Sequence, residues 1–330
     1  MGKGCRNFKR EPFGTRRIEK FCYTIHMHFV NAKSILTPRS MNIYRGCMHG
    51  CIYCDSRSKC YQFTHDFEDI EVKQNAPELL EETLRKKRKR CMIGTGSMGD
   101  PYIPIEKDLG LMRRCLEIIE RYNFGSTMIT KSDLVLRDLD ILTRINNKTK
   151  AVVQMTLTTA DDDLCRKIEP GVCPTSRRFD VLCACRDAGI PTVVWFSPLL
   201  PFINDTQENI DGIIDYCTRA GVKAILCFGI GLTLREGNRE YFYKALDRLS
   251  QNEGATNSNT IGTPTFKGLK ERYIKAFGYN YMAPSPREHE LMIYLKERCR
   301  QNKIMIGTDS VFKWIEEFPE EDNLQPSLFD

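Results

Sequence analysis

The sequence predicts an α/β fold, a partial (β/α)6 TIM-like barrel with a C-terminal helical extension. Three observations lead there. Apolar β-rich runs alternate with amphipathic helical runs every few tens of residues, the rhythm of βα units. The helical runs carry start and stop residues where such units need them. The 330 residues, 41% hydrophobic and 28% charged, suffice for the core of one large globular domain and exclude a mainly disordered or fibrous chain.

Strands are expected over 41–45, 91–95, 126–130, 152–158, 192–197 and 224–229, each followed by a helix. Pro77 stands in the first turn of a helix over 77–90, where its missing N–H removes no helical hydrogen bond. Thr206 with Asn209 opens a later helix, and Gly189 and Gly221 stand at helix ends. In such a barrel the working face is formed by the C-terminal ends of the strands. A polar stretch over 251–268, rich in Asn, Thr and Gly, reads as a loop before helices near 269–277 and 287–302 that cap or close the barrel. The chain then divides into an N-terminal segment, 1–39, the barrel, 40–235, a helical extension, 236–315, and a flexible acidic tail, 316–330.

No apolar run reaches 18 residues, so no membrane span is expected. The apolar stretch over 21–30 is broken by His26 and His28 and lacks a small-residue cleavage site, against a secretory signal. Arg6 stands where a myristoylation motif starting at Gly2 needs Ser or Thr. Fifteen cysteines, an odd number in a large chain, point to reduced thiols and metal ligation in the cytoplasm rather than to a disulfide scaffold. The net charge of +6 permits a polyanionic partner without requiring one. The basic run over 85–90 reads as a solvated helix end, where cations are stabilised by the helix dipole.

The stretch 42–57 carries the chemistry. Cys47, Cys51 and Cys54 form a C-x3-C-x2-C array on a loop leaving the first strand, with Gly46 and Gly50 allowing a tight fold. Thiolates so spaced suit an iron–sulfur cluster with one iron left open. The alternative is a zinc site made of Cys51 and Cys54 with two of His49, Cys60 and His65, in a non-catalytic nucleic-acid-binding protein. Cys22, Cys115, Cys183, Cys185, Cys217 and Cys227 fall on strands or helices and read as small core residues. Gly94, Gly96 and Gly99 match a dinucleotide fingerprint, but Pro101 and Pro104 follow where a helix would have to open, so the glycines instead let backbone approach a cofactor.

Cys47, Cys51, Tyr53 and Cys54 match the C-x3-C-x-aromatic-C motif, and the sequence resembles the radical SAM superfamily. That resemblance implies a [4Fe–4S] cluster on the three cysteines. It further implies S-adenosylmethionine on the fourth iron, a low-potential electron donor, and a 5′-deoxyadenosyl radical that abstracts hydrogen from a substrate. Further segments narrow the likeness to spore photoproduct lyase-like proteins: Tyr44-Arg-Gly-Cys, Gly99-Asp-Pro-Tyr, Ile129-Thr-Lys-Ser-Asp, Arg137-Asp-Leu-Asp, Thr156-Leu-Thr-Thr, Ile168-Glu-Pro-Gly, and Ser197-Pro-Leu-Leu-Pro with Asn204-Asp205. By that likeness Lys131 neutralises the cofactor carboxylate and Tyr53 faces the adenine. Gly96, Ser97, Thr156, Thr158 and Ser197 line the rest of its site, and Arg178 reaches the cofactor edge or merely solvates its helix. The turn Glu169-Pro170-Gly171 reads equally well as a simple helix end.

One departure bears on the substrate. Spore photoproduct lyases carry a hydrogen-donating cysteine near the end of the second strand, where this chain has Ser97-Met98-Gly99-Asp100, and Cys91 falls at the opposite end of that strand. The resemblance therefore implies a related nucleic-acid substrate, in DNA repair or modification, rather than the spore photoproduct; a peptide or protein substrate is the alternative. The tail ends in Gln325-Pro-Ser-Leu328-Phe329-Asp330, which resembles a bacterial sliding-clamp-binding motif. Leu328 and Phe329 would each bury apolar surface in a pocket, with Gln325 setting register.

Overall fold

The structure, a computed structural model, describes residues 26–253 and 265–319. The chain opens with β1 (Met27–Val30), β2 (Leu36–Thr37), β3 (Ser40–Met41), β4 (Tyr44–Arg45) and, after the cysteine loop, β5 (Ile70–Lys73) and α1 (Ala76–Lys86). The central units follow: β6 (Met92–Thr95), α2 (Glu106–Leu109), α3 (Leu111–Arg121), β7 (Gly125–Thr130), α4 (Leu139–Lys148), β8 (Ala151–Thr156), α5 (Asp162–Ile168) and α6 (Thr175–Asp187). Then come β9 (Thr192–Trp195), α7 (Gln207–Arg219), β10 (Ala224–Leu226), β11 (Gly231–Thr233) and α8 (Asn238–Glu253). The chain closes with α9 (Leu269–Phe277), β12 (Met282–Pro284), α10 (Glu288–Gln301), β13 (Met305–Ile306) and α11 (Thr308–Glu316).

The main sheet runs in the order β13-β10-β9-β8-β7-β6-β3-β2 and is parallel from β13 to β3, with β2 antiparallel at the edge. Its strand order follows the chain through the barrel, as right-handed βα crossovers require. Side chains alternate along each strand. Ile93, Met128, Val153, Val194 and Ile225 join the large core beneath the helices, with Leu116, Ile145, Leu182 and Ile213. Met92, Val152, Val193, Ala224 and Leu226 form a separate inner cluster that Val311 and Ile315 of α11 cover. That period of two leaves both faces buried, so the strands read as nearly continuous apolar runs.

Local signals act as expected at several ends. Pro77 lies in the first turn of α1, the Thr206 hydroxyl accepts from Asn209 N to cap α7, and Gly189 and Gly221 follow helix ends at φ +71° and +66°. Other boundaries move. The strand expected over 41–45 is divided: Met41 stays in the main sheet, while Tyr44 and Arg45 turn to pair antiparallel with β5. The helix expected over 77–90 ends at Lys86, so only Arg85 and Lys86 of the basic run lie in its last turn. Strands β8, β9 and β10 stop two or three residues early, because the chain there turns into the site. Helix α8 continues to Glu253, into the stretch read as loop. The C-terminal part also supplies β12 and β13, the latter a strand of the main sheet. Residues 254–264 of that loop, Gly2, Arg6, Cys22 and the tail residues Gln325, Leu328 and Phe329 lie outside the described residues.

Candidate functional site

The cysteine loop leaves β4 and is clamped by backbone. Gly46 has φ +95°, and a Cβ there would stand 2.6 Å from Phe67 O, the carbonyl that accepts from Cys47 N at 3.2 Å. On the far side Ile52 N donates to Ile168 O at 3.0 Å and Gly171 N to His49 O at 2.9 Å. A side chain at Gly171 would strike His49 O at 2.6 Å. Glycine is thus dictated at both contacts by close approach of backbone to backbone.

Burial pushes the Cys47 thiol up to about 12, with Cys54 and Asp100 adding to it. Burial also lifts Cys51, against the pull of Lys131 and with Glu169, Cys54 and Cys47 adding. Without a positive centre these groups stay thiols; a metal centre would deprotonate them. Cys47, Cys51 and Cys54 line one cavity, and three cysteine thiolates with one iron left open are a donor set that fits an iron–sulfur cluster. His65, expected as an alternative zinc ligand beside Cys51 and Cys54, faces His28 instead.

The strand ends converge on this loop. A cavity of about 120 Å³ is lined by Cys47, Cys51, Tyr53 and Cys54 together with Gly96 and Ser97 beyond β6, Lys131 beyond β7 and Thr156 ending β8. A second, of about 400 Å³, shares Tyr53, Cys54, Gly96, Ser97, Lys131 and Thr156 and extends to Trp195, Ser197, Phe228 and Glu288. Gly96, at φ +95°, could carry no side chain, since its Cβ would fall 2.1 Å from Ile129 O. Of the residues singled out in the sequence, the structure brings together the cysteines, Tyr53, Gly96, Ser97, Lys131, Thr156 and Ser197. Thr158 and Arg178 do not line either cavity.

Those two act behind the wall, on Glu169. Arg178 is fully buried, with Nη2 2.6 Å from Glu169 Oε2 and Nη1 donating to Thr156 O at 3.0 Å. It is therefore neither at the cofactor cavity nor solvating its helix. Glu169 also accepts from the Tyr53 hydroxyl and, at 3.3 Å, from Thr158 Oγ1. Burial would raise the Glu169 carboxyl, but Arg178 and Lys131 outweigh it and hold it below the ordinary carboxylate range. The residue ends α5, as the sequence suggested, and its carboxylate also fixes the ring of Tyr53.

Asp100 is a second organiser that sequence reasoning did not single out as a site residue. Its carboxylate accepts from Thr130 Oγ1 at 2.8 Å, Lys131 N at 2.7 Å and Tyr102 N at 2.8 Å, and His49 Nε2 stands 3.0 Å away. It ties the end of β7, from which Lys131 projects, to the glycine-rich turn after β6. Its only sequence signal was its place in Gly99-Asp-Pro-Tyr. The cysteines read as core behave accordingly: Cys115, Cys185, Cys217 and Cys227 are buried and Cys183 half-buried.

The sequence profile of the radical SAM superfamily matches residues 41–217, more than half of the chain. The chain belongs to the radical SAM superfamily. It is an enzyme, with a [4Fe–4S] cluster and S-adenosylmethionine as cofactors and a need for an electron donor. That membership displaces the non-catalytic zinc-protein alternative. Among relatives, an uncharacterized protein of Mycobacterium tuberculosis is 28% identical over 235 residues, covering 68% of this chain and 67% of its own length. An uncharacterized protein of Methanocaldococcus jannaschii is 32% identical over 190 residues, covering 55% and 70%. Among solved structures, a spore photoproduct lyase mutant superposes with a TM-score of 0.57 at 14% identity, covering 83% of this chain and 79% of that one. Another, with bound AdoMet and dinucleoside spore photoproduct, gives 0.52 at 13%, covering 80% and 73%. At such identities the likeness is one of fold. Among the described residues no helix is long and apolar enough to cross a membrane.

Proposed function

We propose that Cys47, Cys51 and Cys54 hold the cluster, that the adjoining cavity holds S-adenosylmethionine, and that the substrate is a nucleic acid, in DNA repair or modification. The observation that carries this reading is the continuity of the cysteine-lined cavity with the larger one through Tyr53, Gly96, Ser97, Lys131 and Thr156. When bound and reduced by a low-potential donor, the cofactor pair supplies a 5′-deoxyadenosyl radical that abstracts hydrogen.

The chain's own residues bind and orient. Burial disfavours the Lys131 ammonium, but Cys51, once it is a thiolate, and the Glu169 carboxylate override it and keep the group charged to meet a carboxylate. Gly96 lets cofactor and backbone meet closely. Tyr53, held by Glu169, offers a ring face, while Thr156, Ser97 and Ser197 offer hydroxyls. Arg178 and Thr158 are positioning residues that act through Glu169.

Support for a nucleic-acid substrate comes from the outer wall of the larger cavity. Trp195 and Phe228 have ring centroids 5.1 Å apart, and Phe228 is half exposed, an aromatic surface on which a base can stack. Ser97 in place of a thiol supports a lesion or modification other than the spore photoproduct. The terminal motif with Gln325, Leu328 and Phe329 supports recruitment by a DNA sliding clamp. Among the described residues the cysteines are free thiols, which supports a reducing, cytoplasmic setting.

The test is anaerobic turnover of cluster-loaded enzyme with S-adenosylmethionine, a low-potential reductant and perdeuterated oligonucleotides. Deuterium recovered in 5′-deoxyadenosine is the expected result. Transfer from labelled peptides and none from DNA or RNA would refute the nucleic-acid assignment.

A further inference from the structure

A cluster of side chains away from the cysteine loop is assigned no role by the radical chemistry. In the parallel pairing of β1 with β5, His28 lies directly opposite Glu71. His65, from the segment leading into β5, packs edge-on against His28 with ring centroids 4.8 Å apart at 85°. The ligand atoms of His28, His65 and Glu71 all lie within 4.8 Å of one another.

Both imidazoles are already oriented. His28 Nδ1 is 3.2 Å from Asp69 Oδ1, and His65 Nδ1 is 2.9 Å from Asp66 O. An oxygen acceptor at Nδ1 places the ring proton there and leaves the Nε2 lone pair free, the arrangement by which carboxylates and carbonyls set metal-binding histidines. His65 Nε2 is buried with no hydrogen-bond partner, and stands 3.9 Å from Glu71 Oε2. Arg45, the cross-strand neighbour of Glu71 on β4, instead donates to the carbonyls of Tyr61 and Gln62.

We propose that His28, His65 and Glu71 bind a divalent transition metal, zinc in the first instance, with Asp69 and Asp66 O orienting the histidines. Two neutral imidazoles and one carboxylate are a common zinc donor set, leaving a fourth position for water. Closing the donors onto one ion takes a modest side-chain movement. The metal would cross-link β1, β5 and the 62–69 segment, whose Phe67 carbonyl holds Cys47 N, and so brace the cysteine loop from outside.

The alternative is that protonated histidines simply pair with Glu71 and Asp69. Zinc itself, titrated against a chromophoric chelator into the cluster-loaded full chain at neutral pH, separates the two. Wild type is expected to take up about one zinc with a nitrogen and oxygen shell by X-ray absorption. His65→Gln and His28→Gln should abolish that uptake while retaining full iron content, and Asp69→Asn should weaken it about 10–100-fold. Equal zinc affinity in wild type and His65→Gln, or a sulfur-containing shell, or no tight uptake at all, would overturn the proposal. Iron content read on the same samples keeps this outcome separate from the fate of the cluster assignment.

Discussion

Lys131 stands at the junction of the two cavities, where Cys51, once it is a thiolate, and the Glu169 carboxylate favour its ammonium against burial. Lys131→Ala is expected to weaken S-adenosylmethionine binding by about 1.5–3 kcal/mol, roughly 10–150-fold, with the cluster intact; equilibrium binding to cluster-loaded enzyme measures it. Arg178 and Glu169 form a fully buried ion pair, and removing one partner leaves an uncompensated charge. Arg178→Met should cost about 3–5 kcal/mol, and Glu169→Gln with Arg178→Met together should cost less than the single change; chemical denaturation of the apo-protein compares them. The legible residues at this scale were those whose meaning lies in local spacing: Cys47, Cys51, Tyr53 and Cys54. Glu169, Asp100 and His49 were not, because their roles are made by partners far along the chain, Tyr53 to Glu169 being 116 residues apart.

Among the elements, β6 is followed directly by Gly96, whose missing Cβ would fall 2.1 Å from Ile129 O. Gly96→Ala would press a methyl into that carbonyl and strain a φ of +95°. It should lower S-adenosylmethionine affinity and thermal stability together, whereas Gly110→Ala, where nothing lies within 4 Å of the added Cβ, should strain only its own backbone and leave affinity unchanged. Helix α11 covers the inner apolar cluster through Val311 and Ile315. Ile315→Ala is expected to cost about 2–5 kcal/mol, which urea unfolding would register. The five barrel strands from β6 to β10 were legible because apolar, β-rich runs bounded by turn residues report themselves locally. Strands β11, β12 and β13 were not, since two or three residues carry no period, and β13 exists only because β10 offers it an edge. The division of β3 from β4 was equally hidden, being imposed by β5 some 25 residues later.

For the whole molecule, buried carboxylates set the acid limit. Burial opposes ionisation at Glu169 and Asp100, but Arg178 and Lys131 in one case, and His49 with backbone donors in the other, hold both below the ordinary range. A carboxyl lowered in the folded state stabilises above its unfolded pKa of about 4 and loses that contribution as pH falls through the folded value. The apo-protein melting temperature should therefore hold its carboxylate contribution above about pH 5 and fall below about pH 4; a melting temperature that rises on acidification would contradict the burial of these pairs as charged groups. The central claim is that the strand ends around Cys47, Cys51 and Cys54 build one cofactor site. Anaerobic reconstitution followed by iron analysis and assay for 5′-deoxyadenosine tests it most directly. Wild type and Cys183→Ala should each hold about four irons per chain and form 5′-deoxyadenosine from S-adenosylmethionine, while Cys47→Ala, Cys51→Ala and Cys54→Ala should lose both. Retention of iron and product by the three triad variants would contradict it.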